Sequence, residues 1–313
     1  ALRLPPPAGQ RPDTRALRYA VMTDTPPTYG ERSDGMDNYI CVTCGTQYPA
    51  TDSAPEHCPI CEDDRQYIGS NGQRWTTLRE LRASGTYSNA IEEVALGVWG
   101  IATQPRFAIG QQAHLIQTPL GNVLWDCVSY LDDATINAVT ERGGVTAIAI
   151  SHPHFYSSII AWSEAFGDAP IYLHSDNEPW VMRMSPAVHY WSEDAREIVP
   201  GVTLIRCGGH FPGSTALHWA RGALFTGDTI TVVSDKRWVS FMYSFPNDIP
   251  LDERSVRRIV AAVEPYPFSR LYGGWRGDVI ASDAKGAVNR SADRYIRHLR
   301  GEAGANNTPP SRP

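Results

Sequence analysis

The segment Ser151–Ser158, with the sequence SHPHFYSS, organises the rest of the chain. It follows Val145–Ile150, a β-branched apolar run that is typical of a strand buried on both faces. If the backbone stays extended beyond that strand, His152 and His154 point to the same side, because side chains two positions apart share a face. Two such imidazoles can bind one metal ion, although a surface histidine followed by a helix-capping histidine gives the same pattern.

Two later segments supply further ligands of the same kind. His210 lies in the glycine-rich turn Cys207–Ser214, directly after the strand-like run Val202–Arg206. Asp228 closes a TGD motif after another apolar run. Three histidines and one aspartate, each at the carboxyl end of a predicted strand, form a plausible ligand set for a cation.

In this order and spacing, the motifs HxH, GHxPGS and TGD resemble those of the metallo-β-lactamase fold superfamily. The resemblance extends from Glu92 to Leu299 and includes the hairpin Ala113–Asp126, whose last residue matches the structural aspartate of the family. It implies an α/β fold, an αββα sandwich of two facing sheets with the metal site at one edge.

The sequence departs from the family pattern at the second metal. The family motif HxHxDH here carries Tyr156 and Ser157 in its last two places, and no histidine stands in Tyr272–Trp275, where the final family histidine falls. The resemblance therefore implies a single ion. Its predicted ligands are His152, His154, His210 and Asp228.

The favoured function is that of a mononuclear metal-dependent hydrolase. A single zinc-bound hydroxide would attack an ester, lactone, thioester or amide-type small molecule, because three neutral imidazoles leave the ion most of its charge. Asp228 would orient the water or take its proton. Tyr156 either donates a hydrogen bond to the developing oxyanion or is a core residue.

Aromatic side chains are the candidates for the substrate pocket. The loop Arg237–Asn247 lies where relatives place substrate-facing residues, and the segment Ser175–Trp191 could wall the same pocket or pack over the sheet edge. The predicted substrate-binding residues are Tyr156, Trp180, Trp238, Phe241 and Trp275.

Two other functions stay open. The first is a mononuclear non-haem iron oxygenase resembling the persulfide dioxygenases, in which His152, His210 and Asp228 would bind Fe²⁺. The loss of the DH pair, which those enzymes keep, counts against it. The second is a non-catalytic binding protein with a relic metal site.

A second metal site is predicted near the N-terminus. Two CxxC motifs, Cys41 with Cys44 and Cys58 with Cys61, are separated by 13 residues, a spacing that can close a tetrahedral site. The segment is too short to fold around a core of its own, so the metal is expected to fold it. It resembles the rubredoxin-like knuckles of rubrerythrins. Structural Zn²⁺ is preferred and iron is possible, whereas a disulfide is disfavoured in a cytoplasmic chain.

These motifs divide the chain into five predicted parts. They are an extended N-terminal arm (1–35), the four-cysteine knuckle (36–70), a helical linker (71–91), the metallo-β-lactamase-like domain (92–302) and a disordered tail (303–313). Within them, a helix is predicted over Trp75–Ala83 and a strand over Phe107–Gly110.

Composition and charge limit the kinds of partner that the sequence predicts. The net charge is −6, and no basic cluster interleaved with aromatic residues suggests nucleic-acid binding. No apolar run approaches the roughly 20 residues of a membrane span. We expect a cytoplasmic location, a small-molecule substrate, and a homo-oligomer formed through the N-terminal arm if one exists.

Overall fold

The computed structural model of the protein describes residues 36–302. The predicted arm and tail, residues 1–35 and 303–313, lie outside the described residues. The described residues belong to one compact unit. Within residues 36–302, no helix has both the length and the apolar character needed to cross a membrane.

The N-terminal module contains a three-stranded antiparallel sheet in the order β2-β1-β3. Its elements are β1 (Asp37–Cys41), β2 (Gln47–Thr51), α1 (Pro59–Glu62), β3 (Trp75–Thr77) and, directly after it, α2 (Leu78–Ala83). The helix predicted over Trp75–Ala83 is therefore wrong in its first three residues, which pair with β1 instead. Thr77 starts the helix, because its side chain caps the backbone N–H of Glu80 while the Glu80 carboxylate accepts the N–H of Thr77.

Seven strands form the first large sheet, in the order β10-β9-β8-β7-β6-β5-β4. The elements of this half are β4 (Ser88–Ala95), β5 (Val98–Gln104), β6 (Gln112–Ile116), β7 (Val123–Trp125), α3 (Asp133–Glu141), β8 (Ala147–Ala149), α4 (Ile159–Ala165), β9 (Ile171–His174) and β10 (Val188–Trp191). Strands β4 to β7 are antiparallel, and β7 to β10 are parallel. The parallel half carries the helices in its crossover connections.

Six strands form the second large sheet, in the order β11-β12-β13-β14-β19-β20. The elements of this half are β11 (Ala195–Val199), β12 (Val202–Arg206), β13 (Thr215–Trp219), β14 (Ala223–Phe225), β15 (Thr231–Val232), β16 (Val239–Ser240), β17 (Met242–Ser244), β18 (Ile249–Pro250), α5 (Glu253–Val263), β19 (Arg270–Tyr272), β20 (Val279–Ile280) and α6 (Ala284–Leu299). The short strands pair as two separate ribbons, β15 with β16 and β17 with β18.

Three buried clusters show that the two sheets face each other between helices. Apolar side chains from both sheets, among them Trp125, Leu217 and Phe225, form the cluster between the sheets. The outer face of the first sheet packs on α3 and α4, and that of the second on α5 and α6. This arrangement is the predicted αββα sandwich.

The segment Phe107–Gly110 is a loop and not the predicted strand. Ala108 and Gly110 both have positive φ, at +50° and +75°, which a strand does not accommodate. Phe107 is nevertheless buried, because it packs against Ile40 of the N-terminal module. The apolar residues are thus explained by contact with a second module and not by a sheet.

The N-terminal module is held tightly against the sandwich. The backbone N–H of Gln47 donates to the carbonyl of Ser157 at 2.9 Å, and the Ser129 hydroxyl donates to the carbonyl of Gly45 at 2.9 Å. A Cβ added at Gly45 would lie 2.2 Å from the Ser129 oxygen, and Gly45 has a φ of +84°. Glycine is therefore required there by both backbone conformation and close approach.

We expect Gly45→Ala to lower the free energy of unfolding by about 1 kcal/mol more than Gly72→Ala does. Gly72 is a matched control, because its φ is +73° and nothing lies within 4 Å of an added Cβ. Denaturant unfolding of the metal-loaded variants measures the difference. Equal destabilisation by the two substitutions would show that the Gly45 contact does not hold the module in place.

Candidate functional site

Two of the four predicted ligands, His152 and His154, lie in the loop that follows β8. His152 has an extended backbone, but Pro153–Phe155 form a turn of 3-10 helix, so the chain is not extended through His154 as predicted. The two imidazoles converge all the same, with ring centroids 5.2 Å apart and planes at 78°. The turn, and not strand alternation, brings them together.

The other two ligands arrive from the second sheet, after β12 and β14. His210 Nε2 lies 3.2 Å from His154 Nδ1 and 3.6 Å from Asp228 Oδ2, which is also 3.3 Å from His152 Nε2. The potential ligand atoms of all four residues lie within 4.8 Å of one another, and all four residues are buried. The structure thus brings together the predicted set from three separate loops.

Hydrogen bonds behind the site fix how two of the rings are presented. The Ser151 hydroxyl gives its proton to Asp126 Oδ1 at 2.8 Å, so it can only accept from His152 Nδ1, 2.9 Å away. His210 Nδ1 donates to the carbonyl of Met242 at 3.2 Å. With Nδ1 carrying the proton, each neutral ring turns an unprotonated Nε2 towards Asp228.

The electrostatics of the site favour neutral His154 and His210 rings. Burial lowers the pKa of His210 to about 4, and it lowers the pKa of His154 well below its usual range, with the neighbouring charges of His210, His152 and Arg65 adding to the effect. Burial also raises the pKa of the Asp126 carboxyl to about 7, while the hydrogen bonds from Ser151 oppose that rise.

Three buried atoms of the four predicted ligand residues have no hydrogen-bond partner. They are His152 Nε2, His154 Nε2 and Asp228 Oδ1, all buried. Lone pairs of neutral imidazoles gathered around a carboxylate cannot satisfy one another, whereas a cation satisfies them at once. The donor set, three nitrogens and one carboxylate, fits Zn²⁺ or Fe²⁺.

Gly227 allows the aspartate to reach this position. It has a φ of +50°, and a Cβ there would lie 2.4 Å from the hydroxyl oxygen of Ser151. The backbone before Asp228 can approach the Ser151–His152 segment this closely only without a side chain.

The four cysteines of the N-terminal module also form one cluster. Cys41 Sγ lies 3.5 Å from Cys61 Sγ, and Cys44 Sγ lies 3.6 Å from Cys58 Sγ, so no disulfide joins these pairs. All four are buried. Tyr48 Oη and Gln73 Nε2 donate to sulfurs of Cys58 and Cys41 at 3.2 and 3.1 Å, as expected for thiolates that bind a metal.

A cavity of about 160 Å³ opens onto the histidine site and reaches His154 and Asp228. The N-terminal module forms part of its wall, together with the loop after β5, the loop around Phe245 and the turn after β19. The other wall residues are Thr43, Gln66, Tyr67, Arg106, Ala108, Ile109, Phe245, Pro246 and Trp275.

Of the predicted substrate residues, only Trp275 lines this cavity. The hydroxyl of Tyr156 donates to the carbonyl of Asn177 at 3.4 Å, in the core position that was the alternative considered. Trp180 Nε1 donates to Asp63 at the module boundary, 3.3 Å away. Trp238 stacks under Arg294, and Phe241 is fully buried in the cluster beneath α5 and α6. None of these four side chains lines the cavity, and each makes packing or hydrogen-bond contacts elsewhere.

Sequence reasoning missed the contribution of the N-terminal module to the cavity. Thr43, Gln66 and Tyr67 lie in or just after the CxxC motifs, where they gave no signal of their own. Ile109 lies in Phe107–Gly110, for which the sequence predicts a strand, and Arg106 directly precedes that segment. Phe245 and Pro246 do belong to the aromatic loop that was expected to close the pocket.

The segment after the second CxxC motif is tied to the loop that carries Phe245. Asn247 Nδ2 donates to the carbonyls of Asp64 and Gln66 at 3.0 and 3.3 Å, and Tyr243 Oη donates to the Asp64 carboxylate at 2.5 Å. The Arg65 guanidinium lies 4.5 Å from the ring centroid of Phe211, whose ring packs on the site histidines. The four-cysteine module therefore contacts the loop and the phenylalanine ring that border the histidine site.

Ser157 and the turn after β19 stand where the resemblance places ligands of a second ion. Ser157 Oγ donates to the carbonyl of Cys127 and accepts from Gln111 Nε2, at 3.2 and 2.6 Å. At Gly274, a Cβ would lie 2.9 Å from the Phe155 ring and 3.6 Å from Asp228 Oδ1. Among residues 36–302, the two clusters described above are the only groups of three or more His, Cys, Asp or Glu side chains close enough to hold a metal ion.

Comparison with solved structures gives the fold. The FIM-1 metallo-beta-lactamase from Pseudomonas aeruginosa, in its mono-zinc form, matches with a TM-score of 0.51 and 12% identity over 66% of this chain and 96% of its own. The DIM-1 metallo-beta-lactamase matches with a TM-score of 0.50 and 11% identity over 66% and 97%. The Flv1 flavodiiron core from Synechocystis sp. PCC6803 matches with a TM-score of 0.50 and 12% identity over 69% and 62%. At these identities the likeness shows the fold alone.

Comparison with known sequences gives the family. No protein-family model matches the chain. The uncharacterized protein YmaE of Bacillus subtilis (strain 168) is 49% identical over 272 residues, which cover 85% of this chain and 98% of YmaE. The chain therefore has the metallo-β-lactamase fold with a small N-terminal four-cysteine domain, and it belongs to the family of YmaE.

Proposed function

We propose that the protein is a hydrolase that uses one metal ion, held by His152, His154, His210 and Asp228, on a small carbonyl compound. The observation that carries this proposal is the set of four buried side chains whose potential ligand atoms lie within 4.8 Å of one another, two of which line a cavity. Esters, lactones, thioesters and amides are the substrate types that this chemistry covers.

Each ligand residue has a defined part. A zinc ion in this site, when bound, lowers the pKa of water towards neutrality. Asp228 lines the cavity, and its Oδ1 has no partner, so it can orient a water in the cavity and take its proton. Ser151 and the Met242 carbonyl hold the rings of His152 and His210 in the orientation that binding needs.

A group other than Tyr156 must stabilise negative charge on the substrate. Gln66 faces the cavity and is only 7% exposed, and a side-chain amide can donate to a developing oxyanion. Trp275 and Phe245 give the cavity apolar walls, which strengthen such a hydrogen bond by excluding water. We propose Gln66 for this role.

The four-cysteine site has a structural part in the proposal. Its module contributes Thr43, Gln66 and Tyr67 to the cavity and is bonded to the loop that carries Phe245. A structural Zn²⁺ there would hold these residues in place, because four thiolates close the coordination shell. Iron is the alternative ion, since the same ligands accept it.

One observation favours the iron oxygenase as a second candidate. The carboxylate oxygen nearest to the rings lies 3.3 Å from His152 and 3.6 Å from His210, the pair that would form a two-histidine, one-carboxylate triad with Asp228. His154 favours the hydrolase, in which it would be a third histidine ligand. Its Nδ1 lies 3.2 Å from His210 Nε2, and the residue lines the cavity. Anaerobic loading with Fe²⁺ followed by oxygen electrode measurements separates the two: oxygen uptake with a thiol or persulfide would favour the oxygenase.

The metal content of the purified protein should be two ions per chain. We expect a Cys41→Ser/Cys44→Ser variant to hold one ion, in the sandwich, and His154→Ala to hold one, in the four-cysteine module, as measured by elemental analysis. His189→Ala is the control, because His189 is exposed and does not line the cavity. A wild-type content of three ions, or no loss in His154→Ala, would contradict a single ion in the histidine site.

The Ser151 hydroxyl should increase the metal affinity of the histidine site. Ser151→Ala removes the acceptor for His152 Nδ1, and we expect a loss of about 10- to 100-fold in metal affinity, measured by competition with a chelator. Ser163→Ala is the matched control, because it also deletes a buried hydroxyl, which donates to the carbonyl of Ala169 at 2.7 Å, far from the ligands. Equal metal affinities in the two variants would show that the Ser151 hydroxyl does not orient the His152 ring for metal binding.

Turnover should depend on the Asp228 carboxylate. With zinc-loaded protein and a panel of one ester, one lactone, one thioester and one amide, we expect Asp228→Asn to lower kcat by about 100-fold or more. Asp235→Asn should leave kcat unchanged, because Asp235 is an exposed partner of Arg237. The proposal fails if the metal-loaded wild type hydrolyses no member of the panel, or if Asp228→Asn retains full kcat.

A further inference from the structure

We infer that the substrate carries an anionic group, a carboxylate or a phosphate, which binds Arg106 at the mouth of the cavity. This inference rests on the proposed function, since it specifies the substrate of the same site. It concerns binding, however, and can be tested without any turnover.

Arg106 is a cation without a carboxylate partner. Among the described residues it forms no salt bridge or side-chain hydrogen bond, whereas arginines such as Arg65 and Arg276 are paired with carboxylates. It is exposed, and it lines the cavity that leads to His154 and Asp228. The carboxyl group in the wall, that of Asp228, lies 3.3 Å from His152 Nε2 and 3.6 Å from His210 Nε2. A ligand in this cavity therefore meets positive charge at the mouth.

The loop that carries Arg106 is anchored on both sides. Phe107 is buried next to Ile40 and Leu81, and Gln111 Nε2 donates to the carbonyl of Cys127 at 2.8 Å. The stem of Arg106 lies against the backbone of Gly110, where an added Cβ would come within 2.5 Å of Arg106 Cγ and 2.6 Å of its Nε. The guanidinium is thus presented by a fixed loop, which reduces the entropy lost when it binds a ligand.

The size and lining of the cavity define the rest of the ligand. Its volume of about 160 Å³ is close to that of an engineered cavity of about 150 Å³ that holds benzene, so only a small group fits between the mouth and the metal ligands. The cavity wall also contains polar side chains that can donate hydrogen bonds without adding charge. They are Thr43, Gln66 and Tyr67. A guanidinium binds carboxylate and phosphate oxygens through paired N–H groups and repels an amine.

Binding of small thiols to the zinc-loaded protein tests the inference, because a thiol sulfur is a good ligand for zinc and holds the other end of the probe in the cavity. The probes are 3-mercaptopropionate, 2-mercaptoethylphosphonate and the neutral 3-mercaptopropionamide, measured by titration calorimetry. The proteins are the wild type, Arg106→Gln, and the control Arg254→Gln, which alters an exposed arginine on α5. Melting temperatures check that each variant is folded.

We expect Arg106→Gln to weaken at least one anionic probe about tenfold and to leave the amide within twofold, with Arg254→Gln like the wild type. A preferential loss for the carboxylate or for the phosphonate tells which anion the site accepts. Equal affinities of the wild type and Arg106→Gln for both anions, or an equal loss for the amide, would overturn the inference while leaving the metal site intact. Failure of all three probes to bind the wild type would instead contradict the proposed metal site, and this inference with it.

Discussion

The constraint on which the rest of the structure depends is the convergence of buried lone pairs beyond the ends of β8, β12 and β14. His152, His154, His210 and Asp228 come from both sheets, and their potential ligand atoms lie within 4.8 Å of one another in the protein interior. Such a cluster costs free energy unless a cation occupies it. The facing sheets hold it together, for example through the backbone N–H of Thr215, which donates to the carbonyl of Ser151 at 2.9 Å. The site is thereby part of the junction between the two halves of the sandwich.

The N-terminal module contributes to the wall of the cavity beside this site. Gln66 and Tyr67 of the four-cysteine module form part of the wall of the cavity that His154 also lines. In the proposed function, the module is stabilised by its own metal ion, bound by the four buried cysteines. Hydrogen bonds from Asn247 to the carbonyls of residues 64 and 66 connect this module to the loop that carries Phe245.

The sequence carried enough information for the fold and the ligand set but not for the cavity wall. Ligands such as His210 and Asp228 follow strands within short motifs, so their position is encoded locally and could be read without tertiary contacts. Arg106 and Gln66 lie in segments whose shape is set by contacts between two modules, and no local pattern marks them. Phe107–Gly110 shows the cause most clearly: its apolar residues favour a strand, yet the positive φ of Ala108 and Gly110 and the burial of Phe107 against Ile40 make it a loop. Trp238 and Phe241 do not line this cavity, and they show that a large aromatic side chain suits the core as well as a pocket.

The central claim is that three imidazoles and one carboxylate bind a single ion, separate from the ion of the four-cysteine module. Anomalous diffraction from crystals of the metal-loaded protein, recorded at the zinc and iron absorption edges, tests it most directly. The account predicts one peak at about 2.0–2.2 Å from nitrogens of His152, His154 and His210, and one at about 2.3 Å from the four cysteine sulfurs. Two peaks bridged within the histidine site, or no peak there while the four-cysteine site is occupied, would contradict it.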